Sequence, residues 1–320
     1  MRAEPRADLR VLSIPAAGLT AADTARRLSD ARDSGVNTIF IPISLDGETD
    51  AASAAIDAVI RGAHDRGLRV HAAVQIMVAA RAGALPSSRD HVIYRHPEWL
   101  MVPRSLAIEM QSVDPRSPDY IGRLTRWTRA QGDRVDGLYL SPLQPEATAH
   151  MADAVRRIVS RHAVDGIHFD GVRFPAREFD YGVRSLDAFR GAMRRTLPAS
   201  ERTRVDEVDA IDPFGYPDEL SDEWRRFRAT RVTSLIAQLR AAVRSVRPET
   251  VVSATAVAGA DLALSEYLQD WRTWVDNGFV DALAEHAATA TTLLFSYEAL
   301  VDAVTGRAPA TATPVGTASP

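Results

Sequence analysis

The 320-residue chain has no cysteine and no lysine; all 38 of its basic residues are arginine. Without cysteine there is no disulfide, no thiolate nucleophile and no cysteine-held zinc. Without lysine there is no Schiff-base chemistry and no phosphate-loop lysine. Long apolar runs are missing as well. No stretch approaches the ~18 apolar residues of a membrane-spanning helix. The opening MRAEPRADLR is charged and has no apolar segment behind it, so no signal peptide is expected, and the default expectation is a cytoplasmic chain. Positive charge is not in excess. A net charge of -4 and a pI of about 6.1 argue against a nucleic-acid partner. The first strand lacks a GxGxxG turn, and no second His/Asp cluster with ligand spacing is evident, so no cofactor and no metal are expected.

What is present is a repeated strand-then-helix pattern, with 46% hydrophobic residues to fill a core. Short β-branched runs predict strands at Leu9–Pro15, Val36–Ser44, Leu68–Ile76, Asp136–Pro142, Asp165–Val172 and Thr250–Val257, with a weaker one at Phe279–Ala284. Between them, amphipathic stretches predict helices over Thr20–Ser34, Ala51–Arg66, Pro118–Gln131, Pro145–His162, Arg184–Arg195, Ser221–Val246 and Asp261–Asn277. Three joints, DSGVNTIF, DRGLRVHA and DNGFVDAL, share one grammar: a glycine ends the helix and the next strand begins. Strands alternating with helices imply parallel β-structure with helical crossovers. Six or seven such units favour a (β/α)8 barrel over an open doubly wound sheet, as one domain covering residues 1–306. The Pro/Thr/Ala-rich stretch 307–320 is expected to be disordered. The irregular segment Met77–Arg116 reads as an ordered flap. Arginines 225, 226, 228 and 231 on the Ser221–Val246 helix read as a solvated face.

The chemistry concentrates in DGIHFDGVRFP, Asp165–Pro175. Alternation in a strand puts His168 and Asp170 on one face, with Ile167 and Phe169 on the other. In a barrel, the inward face at the C-terminal end of a strand carries the catalytic groups. Asp170 is the last polar residue before the chain leaves the strand, and Arg173 follows at the mouth. The pair reads either as a catalytic carboxylate beside a substrate-binding cation or as an ordinary ion pair closing a strand end. His168 reads as a substrate-facing group or as a satisfied interior histidine.

IVSRHAVDGIHFDGVRFP (Ile158–Pro175) resembles the signature of the glycosyl-hydrolase-like family 10 proteins, and GLYLSPLQPE, HPEWLMVPR, VDPRSPDY and LQDWRTWVDNGFVDAL resemble further segments of that family in the same order. The resemblance implies a (β/α)8 barrel and hydrolysis of O-glycosidic bonds in a bacterial glycan, with peptidoglycan strands among the candidates. It also implies a carbohydrate partner, and relatives are often exported. Such hydrolysis uses two carboxylates flanking the bond. Asp170 is the first candidate and Glu285, just past the last predicted strand, the second; Glu178, Asp180 and Asp212 are alternatives. Trp99, Phe174 and Tyr181 are candidate sugar platforms. Trp99 and Tyr181, with His168 and Arg173, form the expected substrate-binding set.

The chain departs from the family pattern in several places. Gly171 stands where the family has Tyr or Asp, and Ala73 and Gln75 stand where it presents tryptophan and asparagine. The loop after the second strand is only SLDGETD, and Glu285, His286 and Ala288 replace an apolar-Pro-Met-Tyr segment. LLFSYEALV (Leu293–Val301) resembles the family's last strand, yet only eight residues separate it from FVDALA. A parallel crossover takes about a dozen or more. A barrel incomplete or distorted at its last β/α unit is therefore expected. A non-catalytic glycan-binding barrel is the alternative function.

Overall fold

A computed structural model describes residues 10–132, 134–285 and 293–295; the side chains of Glu285 and of 293–295 fall outside that description. The stretch 307–320, His286 and Ala288 also lie outside the described residues. Seven parallel strands form the main sheet in the order β8-β7-β6-β3-β2-β1-β9. They are β1 (Arg10–Ser13), β2 (Thr38–Pro42), β3 (Arg69–Gln75), β6 (Gly166–Asp170), β7 (Val251–Ala256), β8 (Ala282–Glu285) and β9 (Leu293–Phe295). Two further strands, β4 (Val78–Arg81) and β5 (Gly137–Tyr139), form a separate antiparallel pair.

Strand alternation sorts the sheet into two faces. Leu12, Ile39, Ile41, Val70, Val74, Ile167, Phe169 and Val252 are buried in one cluster with apolar residues of the surrounding helices. Those helices include α1 (Ala21–Asp33), α2 (Asp50–His64), α6 (Pro145–Arg161) and α10 (Ser221–Arg244). Thr20 and Thr49 cap α1 and α2 by accepting the N–H of Asp23 and Ala52. Gly35, Gly67 and Gly278 have positive φ at the three helix-to-strand joints, as the repeated grammar predicts. The opposite face carries Val11, Phe40, Ala73 and Ala282, which pack on one another. Ala282 belongs to β8, and Phe40 to β2, four positions away across the sheet. The two meet only because the sheet curls. The fold is thus a (β/α)8 barrel, incomplete in its strand closure: β8 and β9 end the sheet, and β9 pairs with β1 alone among the described residues. Residues 286–292 leave no length for a crossover helix between them.

The structure corrects the reading of Asp136–Pro142 as a barrel strand. β3 and β6 pair directly, His71 with Gly166 through Gln75 with Asp170, and leave no place between them. The displaced β5 lies beyond the C-terminal end of β3, antiparallel to β4, and bridges to Leu100. Gly137 permits this, since a Cβ there would sit 2.3 Å from the carbonyl oxygen of Ala80. The Met77–Arg116 segment is more regular than expected. Besides β4 it holds α3 (Val92–Arg95), a 3-10 turn (Pro97–Trp99) and α4 (Arg104–Gln111). The predicted Asp261–Asn277 helix breaks into α11 (Ala260–Tyr267) and α12 (Trp271–Asp276) at Leu268, whose φ is 55°. Two short helices, α8 (Ala199–Asp209) and α9 (Gly215–Glu219), were not legible as separate units. The remaining helices are α5 (Pro118–Ala130) and α7 (Val183–Thr196). No described helix is long and apolar enough to cross a membrane.

Arg228 departs from the solvated-face reading of α10. It is buried and donates to the carbonyls of Arg177, at 2.6 Å, and Phe179, with its guanidinium 4.5 Å from the Trp224 ring centre. Arg225 and Arg226 do form exposed pairs, with Asp222 and Glu223.

The β3–β6 seam depends on Gly166, where a Cβ would lie 2.5 Å from the His71 ring. Gly166→Ala is expected to cost about 1–3 kcal/mol through overpacking. In a His71→Ala background the same change is expected to cost less than about 0.5 kcal/mol, the two sites being directly coupled. Urea denaturation of the four proteins checks this; equal costs in both backgrounds would refute the steric account.

Candidate active site

Asp170 ends β6 at the C-terminal mouth of the barrel and is half-buried. Gln75, its register partner at the end of β3, donates from Nε2 to Oδ2 at 2.6 Å. The N–H of Gly171 donates to Oδ1 at 2.8 Å. Gly171 adopts φ +66°, and a Cβ there would approach the Gln75 side-chain oxygen to 2.7 Å. The Tyr or Asp of the family pattern at this position would therefore collide with Gln75 unless it moved. Gln75 and Gly171, read above as separate departures, form one device that orients the carboxylate.

Below Asp170 lies a closed polar layer. His168 is buried, with Nδ1 2.9 Å from Ser253 Oγ and Nε2 2.9 Å from Thr255 Oγ1. Phe40 lies 4.8 Å from His168 and 5.6 Å from His71, centre to centre. His71 is fully buried, and neither ring nitrogen has a hydrogen-bond partner. Burial pushes both histidines down to about 4, and their mutual repulsion contributes at His71, so both are neutral at pH 7.

Arg173 and Asp170 do not form the ion pair considered above. Arg173 donates to the Phe174 carbonyl at 3.2 Å and lies 5.0 Å from the Tyr267 ring centre. Both charges still reach the buried Tyr139 phenol. Burial raises its pKa above the ordinary range, with Asp136 and Asp170 pushing it up and Arg173 pulling it down. Trp99 is buried, stacked 3.9 Å from His96 and 5.8 Å from His150. Tyr181 is buried edge-on against Phe214 and Trp224. The buried Asp180 accepts from the N–H of Val102 and Gly182 and from Ser185 Oγ, while burial itself raises its pKa. Those contacts make Asp180 a clamp on the loop after β6. Glu178 pairs with Arg134, and the exposed Asp212 accepts the Phe214 N–H. Glu285 closes β8 in register with Ala256, and its side chain lies outside the described residues.

A cleft of about 330 Å³ opens at the ends of β2 and β3, lined among others by Asp46, Ala73, Gln75, His91 and His150. Asp46 Oδ2 lies 2.6 Å from His91 Nε2. His91 Nδ1 accepts the N–H of Ile93, which leaves the proton on Nε2, facing Asp46. His150 Nε2 is buried without a partner, and burial lowers the pKa of its ring. Among the described residues no three His, Asp or Glu side chains are grouped to hold a metal ion. The mouth therefore holds one oriented carboxylate, Asp170, joined through Gln75 to a cleft that contains a second, Asp46.

A model of the glycosyl hydrolase-like 10 family matches residues 44–299, from the loop carrying Asp46 to beyond β9. The chain belongs to the glycosyl hydrolase-like 10 family. This member is similar to glycosyl hydrolase DigH of Escherichia coli K12, 27% identical over 172 residues that cover 49% of this chain and 33% of that protein. Its counterpart in Escherichia coli O6:H1 is 25% identical over the same length, with the same coverage. The match thus spans about a third of the length of these relatives. Among solved structures, the PgaB (BpsB) glycoside hydrolase domain from Bordetella bronchiseptica shares the fold at a TM-score of 0.55 and 12% identity, covering 87% of this chain and 73% of that one. A β-galactosidase from Bacillus circulans does so at 0.57 and 11%, covering 88% and 40%.

For this glycosyl hydrolase-like 10 member, the sequence pattern located Asp170 but did not select Asp46, His91 or His150. Asp46 stands in a loop noted only for being short, and the two histidines belong to no motif. Pairing of Asp46 with His91 is a tertiary fact, carried by the packing of α3 beside the mouth.

The buried histidines set a pH dependence. Their folded values, about 4, lie below the ordinary 6.5, so the unfolded chain binds more protons between these limits. Stability is then fully present above about pH 6.5 and falls as pH drops toward 4. The urea midpoint is expected to be lower at pH 5 than at pH 7.5, and His168→Gln is expected to narrow that difference. An unchanged difference in the variant would show that His168 is not among the groups responsible.

Proposed function

We propose that this protein is a glycoside hydrolase acting on a bacterial polysaccharide, with Asp170 as its central catalytic carboxylate. The observation that carries the reading is the pair of N–H donors, from Gln75 and Gly171, that hold both oxygens of Asp170 at the mouth of the barrel. N–H donors on both oxygens suit a nucleophile or base, because an acid's own proton would compete with them. Membership of the glycosyl hydrolase-like family supports the reaction class.

Glycosidic hydrolysis needs a second carboxylate to protonate the leaving oxygen or to activate water. We assign that role to Asp46 in preference to Glu285. Asp46 lines the cleft with Gln75, and its Oδ2 lies 2.6 Å from His91 Nε2. His150 and Arg173 are assigned to substrate contact. Trp99 and Tyr181 are assigned to packing behind the mouth, and His168 to orienting β6 against β7.

The test is hydrolysis of bacterial polysaccharides and of aryl glycosides by variants. Asp170→Asn is expected to lower kcat/KM by at least ~10²–10⁴-fold on every substrate, with stability within about 1–2 kcal/mol of the parent because the change is isosteric. Asp46→Asn is expected to lose polysaccharide hydrolysis but to keep the glycosylation step on an aryl glycoside whose phenol leaves without protonation. Undiminished turnover by Asp170→Asn would remove it from the mechanism. Binding of the glycan without turnover by the parent protein would point to a non-catalytic barrel instead.

A further inference from the structure

A second cavity lies apart from the cleft at the barrel mouth. A cavity of about 670 Å³ opens between the 85–97 segment and helix α5. Four arginines line it, Arg89, Arg116, Arg126 and Arg129, and no Asp or Glu does. In a chain of net charge -4 this is a local reversal of sign. Elsewhere the arginines are largely paired, as Arg104 is with Asp218 and Arg190 with Asp209. Among the described residues neither the Arg116 nor the Arg126 side chain has an ion pair or hydrogen bond, a condition shared with Arg32, Arg61, Arg69, Arg95, Arg157 and Arg195. The other two in the lining are fixed in place. Arg129 donates from Nε to the Ala82 carbonyl at 2.7 Å, and Arg89 lies 4.7 Å from the Tyr94 ring centre. Thr125, also in the lining, is 4% exposed, and its hydroxyl has no hydrogen-bond partner. Two anchored guanidinium groups and two free ones in one cavity without a carboxylate form a receptor for an anionic oxygen ligand.

The location indicates what bears the anion. His91 and Val92 line the catalytic cleft, whereas Tyr94 and Pro97, from the same short turn of chain, line the arginine cavity. The 91–97 segment thus contributes residues to both sites. Tyr94 adds a ring of the kind that packs on a sugar face. We propose that the arginine cavity is a remote subsite that binds a carboxylate-bearing sugar of the substrate, so that the enzyme selects acidic over neutral polysaccharides; this rests on the glycoside hydrolase reading.

Calorimetric binding to the Asp170→Asn protein tests the subsite without turnover. The probes are an oligogalacturonate, its carboxyl-reduced neutral counterpart and inorganic phosphate. The acidic oligosaccharide is expected to bind at least ~10-fold more tightly than the neutral one, with affinity falling as salt rises. Added Arg116→Gln and Arg126→Gln changes are expected to remove that preference. Gly122→Phe supplies a second variant, since Gly122 lines the cavity and a Cβ there meets no atom within 4 Å. It is expected to abolish acidic binding. Equal affinity for acidic and neutral chains, or an undiminished preference in both variants, would overturn the proposal. So would phosphate binding as tightly as the oligosaccharide, since the site would then take any small anion. Failure of the hydrolase reading shows separately, as acidic binding by the parent protein without product release from any glycan.

Discussion

The seam between β3 and β6 fixes most of what is distinctive in this molecule. It is locked at both ends by carboxylates. At its lower end Asp165 accepts the Val70 N–H at 2.8 Å and lies 2.8 Å from His64 Nε2, while its own N–H donates to the Val70 carbonyl. At its upper end Gln75 holds Asp170. Between them the His71 ring covers Gly166, an approach that only a residue without a side chain allows. Once these strands are joined along their length, β5 has no ladder to enter. It is pushed past the mouth to pair with β4, and Val78 and Ala79 of β4 with Leu140, just after β5, join Asp46 and His150 in lining the cleft.

Direct β3–β6 pairing also shapes the barrel interior. Space inside is filled by small or flat groups: Val11, Phe40, Ala73 and Ala282, with His71, His168, Ser253 and Thr255. Larger aliphatic side chains usually fill such layers. The polar composition has a consequence for charge. Two histidines close to one Phe ring cannot both ionise away from water, and so the layer beneath Asp170 is neutral at pH 7. The carboxylate at the mouth therefore has no cation directly under it. Its nearest partners are neutral N–H dipoles, which orient it without cancelling its charge.

Strand and helix positions in the first half of the chain were legible because each unit repeats one grammar: cap, amphipathic helix, glycine, β-branched run. The same grammar misled at Asp136–Pro142. DGLYLSP alternates like a barrel strand, and nothing local distinguishes it from DGIHFDGV; the exclusion comes from the β3–β6 pairing, a long-range event. The Asp170–Arg173 spacing suggested an ion pair that does not form, because Arg173 turns toward Phe174 and Tyr267 instead. The shortage of residues before Leu293 was legible from length alone, since no packing can extend a chain. Asp46 was not legible, since its partner His91 lies 45 positions away with no pattern linking the two.

The absence of lysine acquires a structural meaning around β6. Arg247 donates from one nitrogen to the carbonyls of His162, at 3.1 Å, and Val164, at 2.9 Å, just before the strand. Arg228 does the same for Arg177 and Phe179, just after it. The strand bearing Asp170 is thus bracketed by two guanidinium groups that tie down the chain entering and leaving it. Such carbonyls lack ladder partners, and leaving them unpaired near the core would be costly. A planar, weakly hydrated cation can be buried for this purpose where a compact ammonium is held back by its hydration. Burial lowers Arg228 only to about 10, so its charge persists at pH 7, and it stacks on Trp224 while holding both carbonyls. Its charge acts on Tyr181 and Asp180 of the loop after β6, so the same guanidinium that holds the two carbonyls also faces the buried carboxylate that clamps this loop.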